Sequence, residues 1–371
     1  MPPQNPPSAA QRWETFCEHI KQAGLEILDS AAGLDEVNQA EGLRYLTRLL
    51  RGSFEKYIEY SDPLDPVIFK MCDERSGYGG DNPDNLYSAG AVNDREVYEI
   101  TGNRGSVWHF NFNVFNWQPD GRYELLAIKN GRDLLCDAEG NFTLLLGGEP
   151  REGNWIALPP SANQVLMRQS FRNRSQECEV KAQIRLLSNT AKVAPLTLTS
   201  LLPKLDGAEE FFCKTGRLMH EWSNDFLATC NQLPLTPPEF IARGGGDPNA
   251  CFYMSSWKIS DGKALLVHIP EFPDEQLWSL ALFNFWLESM DYSNFRIHTN
   301  SAIAERNSDG SFTIVIANTD PCVANWLNAT GHAQGNMILR AWTGGAPIAG
   351  VQTRLIDLAD ADWGKMRKKW Q

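Results

Sequence analysis

One segment of this chain returns later without a gap, and no other feature constrains the fold as much. Asp137-Ala-Glu-Gly140-Asn-Phe142-Thr143-Leu-Leu-Leu146 aligns with Asn307-Ser-Asp-Gly310-Ser-Phe312-Thr313-Ile-Val-Ile316; Gly, Phe and Thr are identical, and the three residues after them are aliphatic in both. A proline follows each copy (Pro150, Pro321), then Asn-Trp (Asn154-Trp155, Asn325-Trp326), then an arginine inside an apolar run (Arg168 in VLMRQSF, Arg340 in MILRAW). Upstream, residues 86–100 align more loosely with residues 252–269. Self-similarity on this scale is the mark of a duplicated structural unit. Glu-Gly and Asp-Gly supply the positive φ of a tight hairpin, and the Phe-Thr-aliphatic run after them is made of strand formers. Each copy is therefore expected to be mostly antiparallel sheet. Asn-Trp reads as a turn residue beside an indole that covers a sheet edge, a structural role.

Outside the copies the pattern is helical. Residues 11–58 carry apolar side chains at helical spacing (Phe16, Ile20, Leu25, Leu28, then Leu43, Leu46, Leu49, Leu50), broken at Asp29-Ser30 and Gly33 and ended by the Ser61 to Pro66 stretch. Between the copies an alternating strand (Cys178 to Leu186) leads to a helix expected over about 208–230, which Pro234, Pro237 and Pro238 stop. The fold class is thus α+β: two duplicated antiparallel β-domains, sandwich- or barrel-like, with N-terminal helices and a helical insert. The expected divisions are a helical segment 1–71, a first β-domain 72–188, an insert and linker 189–249, a second β-domain 250–358 and a tail 359–371.

With 46 Asp and Glu against 34 Lys and Arg, the net charge of −12 opposes a partner held by phosphate neutralisation. Neither nucleic acid nor an anionic membrane is expected as a partner. The polar, proline-rich N-terminus lacks the basic and apolar regions of a secretory signal, and the most apolar run, Trp278 to Trp286, is far short of the roughly 20 residues of a membrane span. A cytoplasmic location is the expectation. The scattered cysteines, with no C-x-x-C, read as reduced thiols.

The residues Trp278-Ser279, Phe283-Asn284, Asn307 to Ile314, Asn325-Trp326-Leu327 and Leu339-Arg340 resemble the bacterial domain-of-unknown-function family numbered twelve-fourteen, which often occurs in tandem with a related β-domain. Glu41-Gly42, Arg44-Tyr45-Leu46 and Asp81 to Tyr87 resemble the longer members. His332 stands where many members carry a Pro-Ala-Gly-Pro type of stretch. The resemblance implies the fold and the duplication, not an activity. In size the chain is also similar to bacterial trans-anol and trans-anethole oxygenases, and that similarity implies an oxygen-activating iron centre, most concretely haem b.

No phosphate loop, nucleophile elbow, H-E-x-x-H or C-x-x-C-H occurs. Histidine is the commonest metal ligand and titrates near neutrality, so the candidates come from the six histidines. His220, between Met219 and Trp222 on the insert helix, suits an axial iron ligand in an apolar pocket; its other reading is a hydrogen-bonded helix histidine. His109, on an aromatic strand with Val107 and Asn111 on its face, and His332, in a loop after Gly331, are the candidate catalytic groups. Arg168 and Arg340 either form structural ion pairs or anchor an anionic ligand or a haem propionate. Asp81 and Asp84 could offer oxygen ligands, although Asx turns beside Pro83 explain them.

Twelve tryptophans and 18 phenylalanines can line a flat apolar cavity or simply fill a core. The leading expectation is an oxygenase acting on a small apolar aromatic substrate, by oxidative alkene cleavage at a histidine-ligated haem or iron. The alternative is a cofactor-free binding protein for a small apolar or aromatic molecule. A third class is an assembly protein whose exposed aromatics join copies of the chain into a homo-oligomer.

Overall fold

Alternation of buried and exposed side chains makes each repeat a pair of facing sheets. The structure is a computed structural model that describes residues 8–30, 33–187, 193–244, 246–247, 249–361 and 363. The first repeat contains β1 (Phe69–Cys72), β2 (Asn85–Ala91), β3 (Tyr98–Asn103), β4 (His109–Trp117), β5 (Tyr123–Asn130), β6 (Asn141–Leu146), β7 (Trp155–Ile156), β8 (Gln164–Ser170) and β9 (Lys181–Leu186). The second contains β10 (Ala250–Lys258), β11 (Lys263–Ile269), β12 (Leu277–Phe283), β13 (His298–Asn300), β14 (Phe312–Ala317), β15 (Trp326–Asn328), β16 (Gln334–Trp342) and β17 (Gln352–Asp357). The inner sheets run β1-β2-β8-β4-β5 and β10-β16-β12-β13, the outer sheets β7-β6-β3-β9 and β15-β14-β11-β17. Apart from the additional β1, the two orders are the same, so the duplication extends to strand pairing. The sheets stay open; each repeat is a sandwich and not a closed barrel.

Phe142, Leu144 and Leu146 of β6 meet Phe110, Phe112 and Val114 of β4 in the first core. Phe312, Ile314 and Ile316 of β14 meet Trp278, Leu280 and Leu282 of β12 in the second. Full burial of each such side chain contributes about 1.5–3 kcal/mol. Gly140 and Gly310 turn the hairpins with φ of 84° and 83°. The sheets are not wholly antiparallel, because β7 and β15 pair parallel to β6 and β14. In both copies the Asn-Trp pair produces this short strand. Trp155 Nε1 donates to the Gly147 carbonyl and Trp326 Nε1 to that of Ala317, each at 2.9 Å.

Helix α1 (Ala9–Asp29) starts in a Ser8/Gln11 capping box and α2 (Glu36–Phe54) at the Asp35 cap. Helix α3 (Leu198–Leu227) begins about ten residues earlier than its apolar pattern predicts. A Thr197/Ser200 capping box starts it, and Pro203 is carried inside an exposed first stretch. A short helix α4 (Pro238–Arg243) follows. The helices fill the space between the two inner sheets: Phe211 and Phe212 of α3 pack with Leu166 and Trp117 of the first, while Met219, Trp222 and Phe226 pack with Phe252, Phe283 and Ile338 of the second. Among the described residues no helix is long and apolar enough to cross a membrane.

Candidate functional site

A cavity of about 150 Å³ lies where α3 meets the inner sheets of both repeats. Most of its wall is apolar, including Phe115, Leu166, Phe211, Met219, Phe252 and Ile338. Arg168 and Arg340, the repeat-related arginines, both line it. Their places follow from register. Arg168 on β8 lies opposite Tyr87 of β2, and Arg340 on β16 opposite Phe252 of β10. Each guanidinium carbon is 5.7 Å from the centre of that ring.

The two arginines differ in what they touch. Arg168, mostly buried, reaches the buried Asp247, just before β10, at 3.8 Å. Arg340 donates through Nη2 to the carbonyl of Gly80, ahead of β2, while its buried Nη1 has no hydrogen-bond partner. Asp81 also lines the cavity, but its carboxylate accepts the backbone N–H of Ser289 at 3.0 Å and the Ser289 hydroxyl. Burial pushes the Asp81 carboxyl up from its usual range, against the pull of Ser289 and Arg340. Burial likewise lowers the pKa of Arg340. A buried guanidinium held chiefly by one carbonyl is short of negative charge. Trp117, Trp222 and Trp342 line the same cavity, and each has a buried indole N–H without a partner. Asn85 Oδ1 is the matching acceptor. The balance of donors over acceptors suits a ligand rich in acceptor oxygens.

The candidate histidines do not line this cavity. His220 lies on another face of α3, its Nδ1 at 3.2 Å from Ser30 Oγ and its Nε2 at 2.8 Å from Asn224 Nδ2. Burial lowers its pKa. His109 begins β4 opposite Ser170 and packs beside Trp108. Burial lowers its pKa too, with Asp247 opposing. His332 is buried on the far side of α2, with Nε2 at 2.8 Å from Glu41 and Nδ1 at 2.9 Å from Thr330 Oγ1. Burial disfavours its charged form, but the Glu41 carboxylate outweighs that and raises its pKa. Asp84 holds the two repeats together, accepting from Ser279 at 2.7 Å and Asn300 at 3.0 Å. Among the described residues no group of His, Cys, Asp and Glu side chains is arranged to hold a metal ion.

Sequence reasoning missed Asp247, Tyr87, Trp117 and Trp342. Tyr87 was within reach, since aligning Arg168 with Arg340 and pairing the flanking strands puts an aromatic residue opposite each. Asp247 lies in a glycine-rich linker with no periodic signal.

A family model described as "Protein of unknown function (DUF1214)" matches residues 258–345. A putative uncharacterized protein from Burkholderia cenocepacia of known structure is 33% identical, with a TM-score of 0.91 over 95% of this chain and 98% of that one. A protein from Vibrio parahaemolyticus of known structure is 12% identical, with a TM-score of 0.48 over 92% of this chain and 99% of that one. No curated protein matches the chain. The resemblance to trans-anol oxygenases gains no support from these relatives.

Proposed function

This chain belongs to the DUF1214 family, whose description assigns no activity, and we propose that it binds a small acid with a flat apolar body in the cavity between its repeats. One observation carries the reading: Arg340 Nη1 is buried and unpartnered in the wall of a mostly apolar cavity. A carboxylate there supplies the missing charge, and a charge-assisted hydrogen bond is worth about 1.5–3 kcal/mol. The size is consistent, because an engineered apolar cavity of about 150 Å³ takes benzene. The bound ring would lie among Phe115, Phe211 and Phe252.

The test is calorimetric titration with simple aromatic acids and their neutral amides. Micromolar to millimolar binding of the acids, at least about tenfold weaker binding of the amides and loss of acid binding in Arg340→Met are expected. Equal affinity for acid and amide would overturn the reading. The sequence-derived alternative is an oxygenase that cleaves an alkene at a histidine-held haem or iron. It asks for more room than a benzene-sized cavity offers and for a histidine in its wall. An absorption spectrum and iron analysis of protein from haem-supplemented cells separate the two, because a Soret band with stoichiometric iron would favour the oxygenase.

A further inference from the structure

A second hollow, of about 180 Å³, adjoins the cavity and shares Phe115, Tyr123, Arg168, Gly246 and Asp247 with it. It crosses the outward face of the first inner sheet from β8 over β4 to β5, beneath Ala242 of α4. Register explains its lining. Asn111 of β4 lies opposite Arg168, Asn113 opposite Ile128, and Phe115 opposite Leu125. The far end is apolar and open, with Leu125 and Ile128 exposed to 40% and 39%. The middle is polar and closed: Asn113 is 3% exposed, its Nδ2 is spent on Asn111 Oδ1 at 3.0 Å, and its own Oδ1 is buried without a partner.

We infer that this hollow is the outer compartment of the same site, and that the ligand is an elongated acid whose chain carries an N–H or O–H donor several carbons from the carboxylate, as in an N-acylated ω-amino acid. The inference rests on the acid-binding reading of the inner cavity. The two compartments differ in what they lack. Unpartnered donors at Arg340 and the indoles call for an acid head inside, and the lone acceptor on Asn113 calls for a donor further out. Beyond Asn113, Leu125 and Ile128 offer an exposed apolar surface for a tail at the mouth of the hollow. The Arg168 and Asp247 side chains, 3.8 Å apart, stand where the compartments join, so the chain passes beside them.

The experiment measures the affinity of the full chain for straight-chain acids from butanoate to tetradecanoate and for N-acyl-6-aminohexanoates of matched length, whose N–H falls beyond the inner cavity. Wild-type affinity is expected to rise about fourfold per added methylene beyond the length the inner cavity holds. Leu125→Ser combined with Ile128→Ser should flatten that rise for the longer acids and leave the shortest unchanged. Asn113→Leu should remove the preference for the N-acyl-6-aminohexanoates without altering plain acids. A plateau after hexanoate with binding still dependent on Arg340 would overturn the outer compartment alone. Loss of Arg340 dependence along the whole series, or no binding at any length, would overturn the acid reading itself. The substituted residues at the mouth are exposed, so folding of the double variant, checked by its unfolding midpoint, is not at issue.

Discussion

Arg168 and Arg340 occupy the same register of the two repeats but draw their partners crosswise. Arg168, from the first repeat, pairs with Asp247 on the segment leading into the second, and Arg340, from the second, binds the Gly80 carbonyl on the β1–β2 connection of the first. The cavity therefore needs both repeats, which gives the duplication a purpose beyond size. The arginines should respond differently to substitution. Arg340 is attracted by the Asp81 and Asp84 carboxylates without pairing directly with either, so Arg340→Met should cost the unliganded protein less than Arg168→Met while acid binding is lost. Arg168→Met strands Asp247 in the interior and should cost about 3 kcal/mol. Urea unfolding of the two variants checks the contrast.

Lys56 illustrates the opposite case, a buried cation far from any carboxylate pair. Its Nζ has no hydrogen-bond partner and lies against the Trp117 ring, in a single π-helical turn (Glu55–Glu59) that continues α2. Burial holds its pKa well below the usual 10.5. The folded state therefore lacks a proton that the unfolded state binds, and this group makes stability rise with pH up to about 10.5. Lys56→Met should stabilise the protein by about 1–3 kcal/mol near neutral pH and remove that component of the slope. A lower urea midpoint for the variant would contradict this.

How much of this was legible in the sequence depends on periodicity. The Gly-Phe-Thr repeat disclosed both sandwiches because a sheet residue's surroundings are set by an alternation that reads directly from one dimension. Arg168 and Arg340 were found by the same route, as charges interrupting apolar strands. The cavity wall was not, since Trp117, Trp342 and Asp247 meet only when α3 and two distant sheets are assembled, and no local spacing encodes that meeting. The histidines carry no such signal, for a related reason. A ligand and a helix histidine bonded to Ser30 and Asn224, as His220 is, look the same until the neighbours are known. The early start of α3 was hidden by Pro203, a helix breaker by sequence alone that here sits in the exposed first turns behind a Thr197/Ser200 capping box.

The Asn-Trp pairs offer a test of equivalent positions. Asn154 accepts from the N–H of Leu135 at 2.8 Å and donates to its carbonyl at 2.7 Å; Asn325 does the same with Glu305 at 2.8 Å and 2.8 Å, and also donates to Thr313. Only the second of these is fully buried, at 6% exposure. Alanine at 154 removes two hydrogen bonds from a half-buried turn, whereas at 325 it removes three and empties a buried position. Asn154→Ala should thus cost about 1 kcal/mol and Asn325→Ala about 2–3 kcal/mol. Equal losses in thermal unfolding would mean that burial does not distinguish the two turns.

Glu288 couples pH to the cavity wall. It is fully buried, its carboxylate accepting from Arg48 Nη1 at 3.0 Å and Asn284 Nδ2 at 2.9 Å, and burial raises its pKa to about 7. The adjacent Leu287 lines the cavity with a positive φ of 55°, which is costly for a branched side chain, and its carbonyl accepts the N–H of Gly80 at 2.8 Å. Between pH 4.5 and about 7 the folded protein holds a proton on Glu288 that the unfolded chain has lost. Stability must therefore fall as pH rises through that window, by on the order of 3 kcal/mol. The His332 contribution, present below its usual 6.5, is also lost as pH rises, but at its own raised value. Glu288→Gln keeps an acceptor for Arg48 and Asn284 but cannot titrate. Its urea midpoint should fall less than that of the wild type between pH 5 and 7, and acid binding next to Leu287 should lose any pH dependence that Glu288 imposes. Parallel stability profiles for the two proteins would show that Glu288 stays ionised in the fold and that Arg48 compensates for its burial.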